Sequence, residues 1–433
     1  MNHLKWLEID LNNLKYNVRN LKLLLEPNVH PGDRRAKFMA VVKSNAYGHG
    51  MIKCAEMAIG AGADWLGVVN IEEALELRIT GSGLRKTPIL VLGYVDLRDF
   101  QVAAENNISV AIVNFDQIKE LITNGRKLPA NLKIHLKIET GISRLGFTEN
   151  EWPKLIREVM KLPKNIIIEG IYSHFASVEE YNLAYARTQI EKFMKFKKSY
   201  QQSVVSSQRY SASCPEPIFH MAASAAAMIL PEAHFDMVRC GIAIYGLWPS
   251  KETKKSFMES RALARGGKLK FAISKMLKPV LSYKTKIVQI KKISRGDCIG
   301  YGCAYFAKKP MLIAIAPVGY AEGFDRGFSN PAPNGNKFGE VLIGGQKCPV
   351  VGRVCMNMSA IDITKLKIQF ANIGLQGSDS KSQQTELKIG ENIVLIGQQG
   401  DNIITADEWA EKLGTINYEV TTRIPSYITR IYK

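Results

Sequence analysis

Between residues 37 and 246, short apolar runs alternate with longer segments of helical period, and this alternation leaves few folds open. Eight runs read as strands: 37–42 (KFMAVV), 65–69 (WLGVV), 89–92 (ILVL), 110–113 (VAIV), 132–138 (LKIHLKI), 166–172 (IIIEGIY), 218–222 (IFHMA) and 238–245 (VRCGIAIY). The segments between them carry helical stripes, and ahead of the first run Leu14, Val18, Leu21 and Leu25 fall on one face. Repeated βα units build a parallel sheet. Eight of them predict an α/β fold, a (β/α)8 barrel of the TIM type, with its reactive groups at the C-terminal ends of the strands.

Past Gly246 the pattern changes. Residues 251–275 are basic and weak in strand pattern, so they read as a linker or insertion. Beyond them, short β-like runs punctuated by Gly and Pro (284–290, 312–316, 341–343, 349–351, 360–363 and 393–396) predict a smaller, mainly antiparallel β domain. The expected division is a barrel over 1–250, the basic segment over 251–275 and the β domain over 276–433. One helix is expected in the β domain: Thr405 as N-cap with Glu408 three residues on makes a capping box, and Gly414 supplies the stop. Residues 374–384 (GLQGSDSKSQQ) read as an exposed loop.

A chain of 433 residues, 46% apolar, has material for two folded domains. Its formal charge of +18 would suit a nucleic-acid binder. The local concentrations, 251–270 and 284–295, lack both interleaved aromatics and a helix-turn-helix pattern, so a solvated basic surface and no specific nucleic acid are expected. Seven scattered cysteines (54, 214, 240, 298, 303, 348 and 355) show no CxxC or other metal-ligand spacing, so neither a disulfide framework nor a metal site is expected. The opening MNHLKWLEIDLNN lacks the apolar core of a secretory signal, and no run reaches about eighteen apolar residues. A cytoplasmic protein that does not span a membrane is the expectation.

Five polar residues fall where barrel strands should end: Lys43 after the first, Arg144 in the loop after the fifth, His174 after the sixth, Ser224 after the seventh and Arg239 at the eighth. Packing alone gives no reason for five such groups to converge on one barrel mouth. A lysine that directly follows an apolar strand is partly desolvated, which lowers its pKa and makes it an amine nucleophile toward an aldehyde.

The run AVVKSNAYGHG (40–50) is followed in order by GISRLGF (141–147), SHFAS (173–177), SAAAM (224–228), VRCGIAIYG (238–246), GYGCAY (300–305), GYAEG (319–323), GRVCMN (352–357) and INYEV (416–420). Together these span nearly the whole chain and closely resemble the signatures of the alanine racemase family, whose members use pyridoxal 5′-phosphate. The resemblance implies a barrel followed by a β domain, L- to D-alanine interconversion that supplies D-alanine for cell-wall peptidoglycan, and a homodimer with shared active sites.

It also implies roles. Lys43 would bind the cofactor as a Schiff base and act as base on one face of the α-carbon. Tyr301, reaching the site from the partner subunit, would be the opposite base, since racemisation takes a proton from one face and returns it to the other. A phenol, ordinarily of pKa about 10, needs surroundings that favour the phenolate to serve so, and the resemblance supplies a relay from Tyr301 through His174 to Arg239. Arg239 would also face the pyridine nitrogen, where a group that keeps its proton leaves that nitrogen largely unprotonated and restrains transamination. Tyr47, Ser224 and the backbone of Gly241 and Ile242 resemble the phosphate-binding set. Arg144 and the N–H of Met356 would hold the substrate carboxylate, Lys137 matches a lysine that is carbamylated in many relatives, and Tyr320 matches a tyrosine of the access corridor.

The chain departs from the family pattern at Asn357, where Asp is usual, at Ala223, where Asn is, and at Ser426, where a phosphate-contacting Tyr is usual, although Tyr427 is adjacent. Glu139 replaces a frequent Asp, and GCAY replaces GATY. The missing carboxylate at 357 resembles racemases of broader range, acting for example on serine, whereas Lys137 resembles the alanine-type site. A barrel-type decarboxylase of the same cofactor is the main alternative, but it would leave Arg144 and the opposed Tyr301 unexplained. A cofactor carrier would need no β domain, and a nucleic-acid binder would show steep salt dependence and no cofactor absorbance.

Overall fold

The computed structural model describes residues 3–25, 35–207, 216–264, 276–332, 338–366 and 387–433. The chain forms two compact units. One comprises Asn12–Ala46 and Met51–Pro279; the other comprises Met1–Leu11, Tyr47–Gly50 and Val280–Lys433.

A short strand, β1 (Lys5–Ile9), opens the chain and belongs to the second unit's sheet. The helix Leu11–Leu23 follows and buries Leu14, Val18 and Leu21, the stripe read from the sequence. Its buried Asn17 donates to the carbonyls of Ile244 (3.1 Å) and Lys278 (2.8 Å). Eight parallel strands then close the barrel: β2 (Lys37–Val41), β3 (Trp65–Val68), β4 (Ile89–Val91), β5 (Ser109–Ile112), β6 (Leu132–Lys137), β7 (Ile166–Tyr172), β8 (Ile218–Ala223) and β9 (Met237–Cys240). Closure joins β9 back to β2, with Lys37 opposite Met237 and Ala40 opposite Cys240. The run 238–245 is therefore not one strand. It leaves the sheet after Cys240 and tightens into a 3-10 turn, Ile242–Tyr245. The basic segment read as a linker begins as the helix Lys251–Ala264, in which Phe257 is buried beside the ring of Trp248 (centroids 5.7 Å apart). Its remainder, 265–275, lies outside the described residues.

The barrel interior holds a polar layer among its apolar ones. His135 of β6 and His220 of β8 are fully buried, and His135 occupies the space a side chain at Gly170 of β7 would need. A Cβ there would stand 2.2 Å from His135 Nδ1. Gly170→Ala is accordingly expected to destabilise the protein by about 1–3 kcal/mol through overpacking, read as a lower urea midpoint; an unchanged midpoint would mean that the ring moves aside freely.

In the second unit the strands are β10 (Leu281–Lys286), β11 (Gln289–Ile293), β12 (Cys298–Ile299), β13 (Tyr305–Phe306), β14 (Met311–Ala316), β15 (Glu340–Ile343), β16 (Gln346–Val351), β17 (Ser359–Asp362), β18 (Asn392–Gln399), β19 (Asn402–Ile404) and β20 (Thr429–Tyr432). The main sheet runs β11-β14-β17-β16-β15-β18-β10-β1-β20; β12 and β13 pair separately. The run 284–290 spans two strands, because the chain crosses from β10, paired with β18, to β11, paired with β14. Parallel pairing of β1 with β20 is the exception to the antiparallel rule. Glu8 on β1 takes Lys284 (2.8 Å) and Lys433 (2.7 Å); these contacts outweigh desolvation and bring its pKa down to about 2.

Thr405 caps the helix Ala406–Leu413 by accepting from the Glu408 N–H (3.0 Å), and the helix stops at Gly414. Only half of the capping box forms, since the Glu408 carboxylate turns to Lys347 and Lys412 instead. The loop at 374–384 lies outside the described residues. Among the described residues no helix is long and apolar enough to cross a membrane.

Candidate active site

Lys43 stands two residues beyond the end of β2, and β2 is buried at four of its five positions. Desolvation lowers its pKa, the Arg144 guanidinium adds to that, and the Glu73 carboxylate opposes both. The backbone after it is unusual: Ser44, Asn45, Ala46 and Tyr47 all have positive φ (53°, 52°, 54° and 53°), one turn of left-handed helix made without glycine. Glu73, on the helix Ile71–Thr80, accepts from the N–H of Ser44 (2.6 Å) and from that of Val69 (3.0 Å), tying the turn to the end of β3. Asn45 Oδ1 accepts from the Met51 N–H (2.9 Å), at the start of the next helix.

The other strand ends add charge around this lysine. Lys137 closes β6; burial and the charges of Arg239 and Arg144 push its pKa down to about 7, against the pull of Glu139. Glu139 also shapes the loop that carries Arg144, accepting from the N–H groups of Gly141 (2.5 Å), Ile142 (2.7 Å) and Arg144 (3.2 Å). Although burial opposes it, these bonds keep Glu139 ionised below its usual range. His174, two residues past β7, is held neutral by burial and by Arg239, Lys137, Arg144 and Lys43, which together push its pKa well down.

Arg239 lies in β9 and is the hub. Its Nη2 donates to the carbonyls of Ser173 (2.7 Å) and Met221 (2.9 Å) and to His174 Nδ1 (3.3 Å), while Nη1 donates to His220 Nδ1 (2.8 Å). Among the described residues its Nε donates to nothing. Burial brings its pKa down to about 10, which leaves it charged at neutral pH.

A guanidinium can only donate, so these contacts fix the imidazole tautomers. His220 must carry its proton on Nε2, which then donates to His135 Nδ1 (2.9 Å). The proton of His135 is thereby on Nε2, 3.4 Å from Glu169 Oε2. His174 keeps its own proton on Nε2 and is a donor there. Tyr172 floors the cluster: its ring stacks on His220 (5.0 Å, 8°), with Lys137 Nζ 4.9 Å and the Arg239 guanidinium 5.3 Å from its centroid.

Ser224 follows β8 directly and is buried. Its Oγ accepts from the N–H of Gly241 (3.0 Å) and of Ala243 (3.5 Å), so a hydroxyl and the start of the 3-10 turn converge. Oxygen acceptors suit such a donor set. The structure thus brings together Lys43, Lys137, Arg144, His174 and Arg239, and separately Ser224 with Gly241 and Ala243, the residues on either side of Ile242.

The remaining expected residues belong to the second unit. Tyr301 opens the 3-10 turn Tyr301–Cys303 between β12 and β13 and is 73% exposed. Tyr320 and Met356 lie side by side: the Tyr320 N–H donates to the Cys355 carbonyl (3.1 Å) and the Ala321 N–H to that of Met356 (3.0 Å). Asn357 Nδ2 donates to Glu322 Oε1 (2.8 Å), which also receives Lys5 (2.7 Å). The Tyr427 hydroxyl donates to the Ala321 carbonyl (2.8 Å). Tyr47 lies 6.1 Å from the ring of Tyr418, and the next residue, Gly48 (φ +86°), has its missing side chain replaced by the Thr421 carbonyl, 2.1 Å from where a Cβ would be.

Glu73, His135, His220, Glu169 and Tyr172 are the participants that sequence reasoning missed, and Glu139, noted there only as a departure from the family pattern, gains a role in shaping the Arg144 loop. One signal was present: a lone charged residue inside an otherwise apolar strand run, as Glu169 is in IIIEGIY.

Residues 9–249 match the sequence model of the alanine racemase N-terminal domain, and residues 280–432 that of the alanine racemase C-terminal domain. The chain is 33% identical to an alanine racemase of Methanococcus maripaludis, covering 100% of this chain and 99% of that one. It is 35% identical to that of Listeria innocua, with 99% and 97% covered. Among solved structures it is similar to the alanine racemase of Bacillus anthracis with bound L-Ala-P (TM-score 0.79, 31% identity, 100% and 96% covered). It is also similar to that of the D-cycloserine-producing Streptomyces lavendulae (TM-score 0.80, 28% identity, 100% and 98% covered).

Proposed function

The chain belongs to the alanine racemase family, and from that premise we propose that it interconverts L- and D-alanine by a two-base mechanism, with pyridoxal 5′-phosphate as cofactor. The observation that carries this reading is the group of Lys43, Lys137, Arg144 and Arg239 around one half-buried neutral histidine, His174. D-Alanine for peptidoglycan is its use.

Bound pyridoxal phosphate supplies an electron sink that makes the α-hydrogen of an amino acid removable. The donor set fits that group. Lys43, its pKa lowered, is the amine that would hold it covalently. Ser224, Tyr47 and the N–H groups of Gly241 and Ile242 would hold its phosphate, and the uncommitted Arg239 Nε would serve its ring nitrogen. Arg239 remains a donor throughout, because both histidines that touch it are neutral acceptors.

Lys43 takes or returns a proton on one face of the α-carbon, and Tyr301 of the partner subunit serves the other. His174, a donor at Nε2, stabilises the phenolate form of that tyrosine. Arg144 and the Met356 N–H hold the substrate carboxylate, and Tyr320 lines the approach. A homodimer suits the exposure of Tyr301, Phe306, Met356 and Met358, each more than half accessible. The described cysteines are free of disulfides, in keeping with a cytoplasmic setting.

Lys137, at a pKa of about 7, is substantially a neutral amine at neutral pH. Such an amine adds to carbon dioxide, its nitrogen bonding to carbon and a proton leaving, and the resulting carbamate would neutralise part of the charge from Arg144, Arg239 and Lys43. Incubation with 13C-bicarbonate is expected to give a carbamate carbon resonance that Lys137→Ala lacks. The signal should grow as pH rises through about 7, because the neutral amine is the reactive form. Activity of Lys137→Ala should fall by about 10²-fold, the scale of a misplaced positioning group. No labelled carbamate at any pH would leave Lys137 as a bare amine.

The reading as a whole is tested by optical rotation of L-alanine incubated with the protein. Rotation should decay to zero, stop after hydroxylamine removes the cofactor, and resume on adding pyridoxal phosphate. A broader specificity has one observation in its favour, the amide of Asn357 where relatives carry a carboxylate; kcat/KM for serine matching that for alanine would establish it. Release of carbon dioxide from an amino acid would replace racemisation by decarboxylation.

A further inference from the structure

We propose that Cys298 and Cys303 form a reversible redox pair bracketing Tyr301, closed to an intrachain disulfide by small disulfides of the glutathione type. Cys303 Sγ lies 3.1 Å from Cys298 Sγ, and both residues are exposed, whereas Cys54, Cys240 and Cys348 are buried. A disulfide is about 2.05 Å long, so closure needs an approach of about 1 Å. The turn between them can supply it, since Gly300 and Gly302 both have positive φ (78° and 69°). Cys303 itself sits at φ +45°, a conformation unfavourable for a residue with a Cβ and held there by its surroundings. The Arg353 guanidinium lies against Gly302, where a Cβ would be 2.8 Å from its Nη1, while the bond to Cys303 and the nearby Asp297 carboxylate raise the Cys298 pKa, so exchange should quicken with rising pH as the thiolate forms.

The exchange balances without further reagents. One cysteine thiolate attacks a sulfur of the small disulfide, forming a mixed disulfide and expelling one small thiolate. The second cysteine then attacks the mixed disulfide and expels the other. The protein loses two electrons and two protons, and the small disulfide becomes two thiols.

Tyr301 is the turn's first residue, three after Cys298 and two before Cys303. The effect on activity rests on its assignment as the second base. Drawing the cysteines together moves that base on the scale at which about 1 Å costs about 10²-fold, so oxidation is expected to lower racemisation by about 10- to 100-fold. Exchange of the α-hydrogen at the Lys43 face should persist.

The test uses the cofactor-loaded full chain, treated with oxidised glutathione, alkylated with iodoacetamide and mapped by mass. The peptide holding both cysteines is expected to lose two hydrogens and escape alkylation, racemisation to fall, and dithiothreitol to restore it. Cys298→Ser should be active under reducing conditions and indifferent to the oxidant. If only glutathione adducts or alkylated thiols appear at these positions, the pair is not a redox site. A bridge that forms while racemisation is unchanged overturns its coupling to Tyr301. In that case Tyr301→Phe separates the two causes: an inactive variant condemns the coupling alone, an active one the assignment of the tyrosine.

Discussion

Lys43→Ala should abolish racemisation outright, because the proposed site gives one side chain two duties: covalent attachment of the cofactor and proton transfer on one face. Removal of a general base alone costs about 10²–10⁴-fold, and loss of the covalent attachment adds to it, so the loss should exceed the upper end of that range. Borohydride reduction followed by peptide mapping should place the cofactor label on Lys43 in the parent and nowhere in the variant. The environment of the lysine supports this choice among the chain's many lysines, since burial and Arg144 lower its pKa and leave more of it as free amine. A label recovered on Lys137, the other lysine with a lowered pKa in the cluster, would transfer the role to that residue.

Tyr301→Phe should separate the two faces of the reaction. The variant keeps Lys43 and should bind cofactor normally. Racemisation should fall by about 10²–10⁴-fold, as for the loss of a general base. In deuterated water the α-hydrogen of one alanine enantiomer, the D form by family resemblance, should exchange much faster than either enantiomer racemises. Equal loss of exchange for both would indicate damage rather than removal of a base. Because the tyrosine is proposed to act across a dimer, mixing Lys43→Ala chains with Tyr301→Phe chains should recover part of the activity through hybrid sites. Mixed dimers without activity would make the site a single-chain one.

The barrel was legible because its strands are short apolar runs whose character is local. The eighth run misled because VRCGIAIY is apolar throughout, and apolarity does not say where a buried strand ends and a buried turn begins; Cys240 is the last residue in the sheet. Pairing between distant segments left no local trace. Nothing in KWLEI announces partners at Leu281–Lys286 and Thr429–Tyr432, so β1 and β20 were not foreseen.

The same division holds in the site. Lys43, Arg144, His174, Ser224 and Arg239 stand where barrel geometry puts reactive groups. Glu73 looks like an ordinary helix-start residue, and it does receive the helix cap from Asn70 (2.9 Å), yet its carboxylate serves the backbone beside Lys43. His135 and His220 read as core residues until Arg239, a donor only, orders their tautomers in turn.

The left-handed turn at Ser44, Asn45, Ala46 and Tyr47 bears on how this protein would fail. Each such residue costs roughly 1–2 kcal/mol relative to right-handed backbone, so the turn does not hold itself; bonds such as that from the Ser44 N–H to Glu73 impose it. Such a segment behaves like a set spring, and slight loosening of its restraints lets it recoil toward ordinary backbone. The aim of Lys43 would then be lost while the strands behind it remain paired. Inactivation by warmth or mild denaturant would accordingly run ahead of unfolding, with the chain still folded after its chemistry has stopped.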